Sequence, residues 1–163
     1  MYKIKLLISL LISLIVLSCT AVNAEKINNK FSLGYISGEY DGLLLNNNLE
    51  AHLSSYNMLD NNSRYEIRSS IGHSTGVYIT NIDNTSNRES VTSELNAIVY
   101  DKRLKCDAYI YKDKMYQFYI FASSEKYYSN KRAQKKIKND NTEELIKKFI
   151  NTLMYKKVKC KFS

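Results

Sequence analysis

The residues whose types and spacing could do chemistry lie near the start of the chain, at positions 16–19 (VLSC). They end an apolar run over residues 6–17, which follows a basic segment at residues 1–5. An aliphatic residue three places before Cys19 and a small residue directly before it fit the pattern at which a signal peptide is removed and the cysteine is acylated. Multiple acyl chains on Cys19 would hold the mature chain stably on a membrane, since a single chain binds only marginally.

A second cleavage pattern competes with the first a few residues later. Residues 22–24 (VNA) fit the ordinary small-x-small rule, and a cut before Glu25 would discard Cys19 with the signal peptide. The sequence therefore predicts a signal peptide over residues 1–18, with an alternative cut after residue 24, a linker over residues 19–29 and one domain over residues 30–163. The two cuts lead to a lipid-anchored protein or to a periplasmic or secreted one.

Two further cysteines, Cys106 and Cys160, remain after either cut. An even pair in an exported chain indicates a disulfide. Closing a loop of about 55 residues would contribute about 4 kcal/mol on the chain-entropy model. The alternative is two buried thiols. The spacing is not that of a metal site, and neither His52 nor His73 lies near the cysteines in sequence.

Motifs of enzymes are missing from the sequence. It has no glycine-rich phosphate loop, no GxSxG elbow, no HExxH and no zinc-type spacing. We therefore expect no enzymatic activity, no catalytic residue and no cofactor. Without Lys3 and Lys5, 22 basic and 16 acidic residues remain, a net charge of +6. Such a charge suits an anionic partner. The alternative is that the surface lysines only keep the protein soluble.

The pattern of apolar residues predicts a two-layer α+β domain. We expect strands over residues 30–38, 64–71, 89–100, 104–110 and 115–122, with residues 77–82 extending or restarting the second of them. Helices are predicted over residues 42–56, capped by Asp41, and about 130–157, with a weak point at residues 139–141 that leaves one helix or two. The fold class is an antiparallel sheet of about four to five strands with both helices packed on one face, in the order β-α-β-β-β(-β)-α.

One stretch of the second helix is strongly basic. Lys131 and Arg132 are followed one turn later by Lys135 and Lys136. A solvated helix face explains such pairs, and contact with an anionic lipid or lipopolysaccharide is the sharper alternative.

Four segments give the chain a resemblance to a known family. They are residues 31–53 (FSLGYISGEYDGLLLNNNLEAHL), 64–71 (RYEIRSSI), 84–101 (NTSNRESVTSELNAIVYD) and 145–153 (LIKKFINTL). In order and spacing they resemble the lipopolysaccharide-assembly lipoproteins of the LptE type, particularly the shorter alphaproteobacterial members. The chain departs from that family directly after Cys19, and its 104–122 region is longer.

The resemblance implies a scaffold without enzymatic activity on the periplasmic side of the outer membrane. Members of this family lie inside the LptD-type outer-membrane β-barrel and help it to assemble and to pass lipopolysaccharide to the cell surface. The implied partners are that barrel, lipopolysaccharide and the membrane through the anchor on Cys19, and no nucleic acid. Arg88, Lys131 and Arg132 would be the contacts to lipopolysaccharide. The alternative is a small periplasmic or secreted binding protein or effector that is cut after Ala24.

Overall fold

Two helices cover one face of a four-stranded sheet in the computed structural model, which describes residues 29–38, 40–79, 87–120 and 126–160. The elements are β1 (Phe31–Ser37), α1 (Tyr40–Ser55), β2 (Tyr65–Ile79), β3 (Asn87–Asp101), β4 (Cys106–Ile120) and α2 (Tyr127–Tyr155). The predicted α+β class and element order are confirmed. The predicted signal peptide, Cys19 and most of the predicted linker lie outside the described residues.

The sheet has the order β1-β2-β3-β4 and is mixed. β2, β3 and β4 pair antiparallel, as expected, but β1 pairs parallel with β2, in a register that sets Phe31 beside Tyr65. The reason is α1. This helix returns the chain to the end of the sheet at which β1 began, so that β2 starts beside β1 and runs in the same direction.

β2 and β4 are each one long strand of 15 residues. Gly72 and Gly76 predict a turn by their residue type, but both lie inside β2. Residues 112–114 lie inside β4 instead of dividing it. Both strands pair with β3 along its whole length or nearly so. Ladder hydrogen bonds and cross-strand contacts therefore override the local turn preference of these residues, and the described strands number four.

A bulge between β3 and β4 changes which side chains of β4 face the helices. Val99 pairs with Tyr109, but the next residue of β3, Tyr100, pairs with Asp107. Strict alternation along the strand predicts that residues 104, 106, 108 and 110 share one face and that Tyr111 lies on the exposed side, and the bulge makes both predictions wrong. Ala108 is buried, whereas Ile110 is 64% exposed on the opposite face. Tyr111 packs on Phe149 with 5.0 Å between ring centroids.

The core lies between the helices and the inner face of the sheet. Its fully buried side chains include Leu45, Leu49 and Leu53 of α1, Ile67, Leu95 and Val99 of the sheet, and Leu145, Ile146, Phe149, Ile150 and Leu153 of α2. The near-helical spacing of these apolar residues predicts one buried stripe on each helix, and both stripes are confirmed. The same spacing predicts Tyr56 on the first stripe, but Tyr56 is 48% exposed because it lies beyond the end of α1.

The helix boundaries differ in detail from those expected. α1 begins at Tyr40, so Asp41 lies within its first turn and does not precede it. α2 is continuous through residues 139–141. No helix in the described ranges combines the length and the apolar composition needed to cross a bilayer.

An ion pair between Arg64 and Asp101 ties the start of β2 to the end of β3. Arg64 Nε lies 2.9 Å from both carboxylate oxygens, and Asp101 Oδ1 also accepts hydrogen bonds from the backbone N–H groups of Arg103 and Leu104. The guanidinium and these two N–H groups hold the pKa of Asp101 at about 2. We expect Asp101→Asn to lower the free energy of unfolding at pH 7 by about 2–3 kcal/mol, because a charged acceptor of several hydrogen bonds is lost.

The pH dependence gives a second measurement of the same pair. The pKa of an aspartate in an unfolded chain is about 3.9, so this contribution is complete above about pH 4 and is lost as the pH falls towards 2. Urea titrations of the wild type and Asp101→Asn should therefore converge between those values. Asp107→Asn, a change of the same type at an exposed position, is the control and should match the wild type. A constant gap between Asp101→Asn and the wild type from pH 7 to pH 2 would contradict this role.

Candidate functional site

A basic cavity lies between the first turn of α1 and the first half of α2. Its volume is about 520 Å³. The cationic side chains around it are Lys131, Arg132, Lys135 and Lys138, and its other lining residues are Tyr40, Asp41, Tyr128, Gln134 and Asn139. We call this part of the domain, where both helices begin, the cavity end. The cavity joins two residues predicted to meet an anionic ligand, Lys131 and Arg132, with residues of α1 that the sequence did not connect to them.

The spacing of the lysines on α2 explains how they come to line the cavity. Lys131, Lys135 and Lys138 are four and three residues apart, so they form one stripe along the helix. The Nζ atom of Lys135 lies 5.3 Å from the ring centroid of Tyr40, and that of Lys131 lies 5.1 Å from the ring of Tyr127. The hydrogen bond to Tyr127 raises the pKa of Lys131. Aromatic rings therefore orient two of these lysines, Lys131 and Lys135.

A tight turn places the start of α1 against the cavity. Gly38 has a φ of +111°, a conformation that residues with a side chain rarely adopt. A Cβ on Gly42 would lie 2.8 Å from the carbonyl oxygen of Ser37, so the helix can begin this close to the end of β1 only with glycine there. The partial positive charge of the helix start adds to that of the lysines and is offset in part by Asp41.

Three polar side chains couple the start of α2 to the sheet beside the cavity. Gln134 Nε2 donates hydrogen bonds to Glu89 Oε2 (3.0 Å) and to the Tyr119 hydroxyl (2.8 Å), and that hydroxyl donates to Glu89. Burial and the Glu89 carboxylate raise the pKa of Tyr119 to about 12. The tyrosine therefore stays protonated, and this network fixes the position of the cavity wall that carries Lys131 and Lys135.

A second polar cluster is buried between α2 and the inner face of the sheet. Asn141 is fully buried in the middle of α2, and its Nδ2 donates to Ser93 Oγ (3.1 Å) and to the carbonyl oxygen of Val91 (3.3 Å). Ser93 Oγ also lies 2.8 Å from Nδ1 of His73. Asn141, read in the sequence as a weak point of the helix, instead joins the helix to the sheet.

The arrangement of Ser93, His73 and Asp41 has the residue types of a hydrolase triad but not its geometry. Burial lowers the pKa of His73, and the charge of Lys138 lowers it further. The carboxylate of Asp41 opposes both effects. However, Asp41 Oδ2 is 4.0 Å from His73 Nε2, and Ser93 is fully buried. A nucleophile needs access to its substrate as well as a base within hydrogen-bond reach. The cluster therefore serves to hold α2 on the sheet.

Arg88, the third residue predicted to meet an anionic ligand, lies at the cavity end but on the other side of the sheet. It is exposed and pairs with Ile120 on the face that no helix covers. The structure therefore brings Lys131 and Arg132 together in one cavity and leaves Arg88 outside it. The sequence feature that would have predicted this cavity wall is the i, i+4, i+7 spacing of Lys131, Lys135 and Lys138.

The two cysteines of the domain meet at its other end. Cys106 begins β4, Cys160 follows α2, their Cα atoms are 6.0 Å apart and their sulfur atoms are bonded. Asp101 brings a carboxylate oxygen within 4.8 Å of both sulfurs. A disulfide has no thiolate to offer a metal, and Asp101 already binds Arg64. His52 and His73 take no part in this group.

Comparisons with known proteins identify the fold. No protein-family model matches the sequence, and no curated protein is significantly similar to it. Solved structures are similar, and several lipoproteins are among them. A minor lipoprotein from Acinetobacter baumannii has a TM-score of 0.61 at 10% identity over 85% of this chain and 99% of that chain.

Two further structures give the same result. Lipoprotein B from Nitrosomonas europaea has a TM-score of 0.63 at 9% identity over 80% of this chain and 85% of that chain. A lipoprotein from Caulobacter crescentus CB15 has a TM-score of 0.53 at 15% identity over 76% and 87% of the two chains. At these identities the likeness establishes a common architecture, and the chain therefore has the fold of these three lipoproteins.

Proposed function

We propose that this chain is a lipoprotein, acylated at Cys19 and anchored on the periplasmic side of the outer membrane, that helps to assemble and plug a lipopolysaccharide translocon. Its role there is that of a scaffold and not of an enzyme. The partner is an LptD-type β-barrel, and the ligand is lipopolysaccharide. The observation that carries the proposal is a fold found in lipoproteins from three organisms, preceded in this sequence by an acylation pattern at residues 16–19.

The basic cavity is the part of the domain best suited to meet lipopolysaccharide. Phosphate groups are bound by guanidinium and ammonium groups, and Arg132 with Lys131 and Lys135 presents both kinds on a concave surface. The sugar rings of such a ligand have apolar faces that Tyr40 and Tyr128 can contact. Arg88 lies on the other face of the sheet. It would therefore contact a different part of the ligand or the barrel.

The uncovered face of the sheet suits the wall of a barrel lumen, which is polar. Glu94 there forms ion pairs with Lys112 (2.7 Å) and Lys114 (2.9 Å), and Arg68 stacks on Tyr100 with 3.9 Å to the ring centroid. Exposed Tyr116 and Phe118 lie beside these charges. A mixed polar and aromatic surface of this kind is typical of protein interfaces.

The mature N-terminus tests the anchor. Mass spectrometry of the purified wild type should show Cys19 as the first residue with added acyl mass. Cys19→Ser should lose that mass, and 1 M salt, which screens attraction between charges, should release this variant from the membrane fraction but not the wild type. Cys106→Ser, which removes a different cysteine, is the control and should keep the acyl mass. A mature chain that begins at Glu25 would overturn the anchor and favour the periplasmic or secreted alternative, for which residues 22–24 are the supporting feature.

Copurification tests the partner. A tagged wild-type chain extracted with detergent should bring down a large β-barrel protein in near-stoichiometric amount. Replacement of Lys131, Arg132 and Lys135 with glutamate should leave that association intact and weaken retention of lipopolysaccharide at least tenfold. Lys147→Glu with Lys148→Glu, in the second half of the same helix and outside the cavity, is the control. Recovery of the chain without any barrel protein would contradict the translocon role.

A further inference from the structure

We propose that the end of the domain at which the N-terminal tether enters is a docking surface for a bilayer that contains anionic phospholipids. The proposal takes its tether from the proposed acylation of Cys19 and concerns residues outside the basic cavity. The described chain begins at Asn29, which lines a second cavity of about 520 Å³ together with Arg64, Lys157 and Lys159. We call this the tether end.

Cations from two separate segments meet at the tether end. The turn between β3 and β4 and the segment that follows α2 are held side by side by the bonded sulfurs of Cys106 and Cys160. The exposed cations on them are Lys102, Arg103, Lys105, Lys156, Lys157 and Lys159. Within the described part of the chain, none of these six forms an ion pair, and they outnumber the exposed acids of this end, Asp60 and Asp107.

Asp101, the buried acid of the tether end, leaves these cations unneutralised. Its carboxylate binds Arg64 and two backbone N–H groups of the turn. Lys102 donates to Ser32 Oγ, and the Nζ of Lys156 lies 4.3 Å from the ring centroid of Tyr109. The surface therefore presents positive charge that the protein itself does not neutralise, and anionic headgroups are the complementary partner.

Apolar side chains stand among these charges. Leu104 is 44% exposed in the turn, with Arg103 and Lys105 on either side of it, and Tyr155 is 46% exposed at the end of α2. At a bilayer surface, lysine and arginine reach the phosphates while a neighbouring leucine or tyrosine enters the headgroup and acyl boundary. A soluble anion would leave Leu104 and Tyr155 in water, so this combination favours a lipid surface.

The length of the tether agrees with this orientation. From Cys19 to Asn29 the chain spans at most about 35 Å in any conformation. α2 has 29 residues and so runs about 43 Å from the tether end to the cavity end. The tether end therefore lies closer to the anchor than the basic cavity, which is at the opposite end of α2.

Amine labelling of the full acylated chain on vesicles tests the proposal. We expect Lys105, Lys157 and Lys159 to react at least threefold more slowly on phosphatidylglycerol vesicles than on phosphatidylcholine vesicles, with equal rates at Lys131 and Lys135. The difference should vanish in 1 M salt, where the Debye length falls to about 3 Å. Equal rates at the tether end on both vesicles, or protection at Lys131 and Lys135 instead, would overturn it.

A variant without the acyl chains separates this proposal from the proposed function. The Cys19→Ser chain should bind phosphatidylglycerol vesicles by charge alone, and further replacement of Lys105, Lys157 and Lys159 with glutamine should weaken binding about 100-fold, at roughly fivefold per lysine. Replacement of Lys136, Lys147 and Lys148 with glutamine is the matched control, because these exposed lysines lie outside both the tether end and the basic cavity, and it should weaken binding less than fivefold. Equal losses in the two triple variants would refute the docking surface even if Cys19 is acylated. A wild-type chain without added acyl mass would refute the acylation of Cys19 but not the docking surface.

Discussion

Replacement of Phe149 with alanine is expected to lower the free energy of unfolding by about 3–5 kcal/mol. Phe149 is fully buried, and its ring lies 5.0 Å from that of Tyr111 on β4. The change removes a large apolar side chain where α2 meets the sheet, and the closely packed helix and strands around it can only partly close the cavity that remains. The loss is a large part of the 5–15 kcal/mol typical of a domain.

Urea unfolding followed by circular dichroism measures this effect as a lower midpoint with an unchanged slope. Phe118→Ala is the matched control, because Phe118 is 48% exposed on the uncovered face of the sheet. We expect that variant to lose less than about 1 kcal/mol. Equal losses in the two variants would mean that the helices pack on the other face, and the two-layer arrangement would be wrong.

Loss of the covalent link between Cys106 and Cys160 is expected to cost about 4 kcal/mol, since the two cysteines are 54 residues apart in sequence and the chain-entropy model assigns that amount to a loop of this length. The link also holds the segment after α2 beside the start of β4. Cys106→Ser with Cys160→Ser should therefore lower the urea midpoint and increase amide hydrogen exchange in the segment that contains Val158, which is buried.

Reduction supplies the control for the double variant. Dithiothreitol should bring the wild type to the midpoint of the double variant and should leave the double variant unchanged. A wild type whose midpoint does not move under reduction would show that the cysteines are free thiols, which was the alternative reading of the sequence.

Much of this domain follows from local pattern. The alternation from Val91 to Val99 predicts a strand with one buried face, and Leu45, Leu49 and Leu53 predict a helix stripe, because side-chain periods of 2 and 3.6 depend only on the local backbone. Those residues are buried as expected. The pattern at residues 16–19 depends on local sequence in the same way, since a signal peptidase recognises the residues next to the bond it cuts.

Contacts between distant segments decided the rest. The bulge opposite Tyr100, which turns Tyr111 inward and Ile110 outward, exists only because β3 and β4 pair. Asn141 favours a helix break by itself, yet it is retained in α2 because Val91 and Ser93 accept its hydrogen bonds.

The candidate site depended on tertiary structure most of all. The sequence by itself determined that Lys131 and Arg132 are part of a basic helical segment, that residues 16–19 carry an acylation pattern and that the chain forms a two-layer α+β domain. Only the folded chain sets Lys135 over Tyr40, and only it brings the turn of Leu104 beside Lys157 and Lys159. The physical reason is that the charge pattern of one segment does not determine which other segments pack against it. Those positions follow from how the helices and strands bury their apolar faces together.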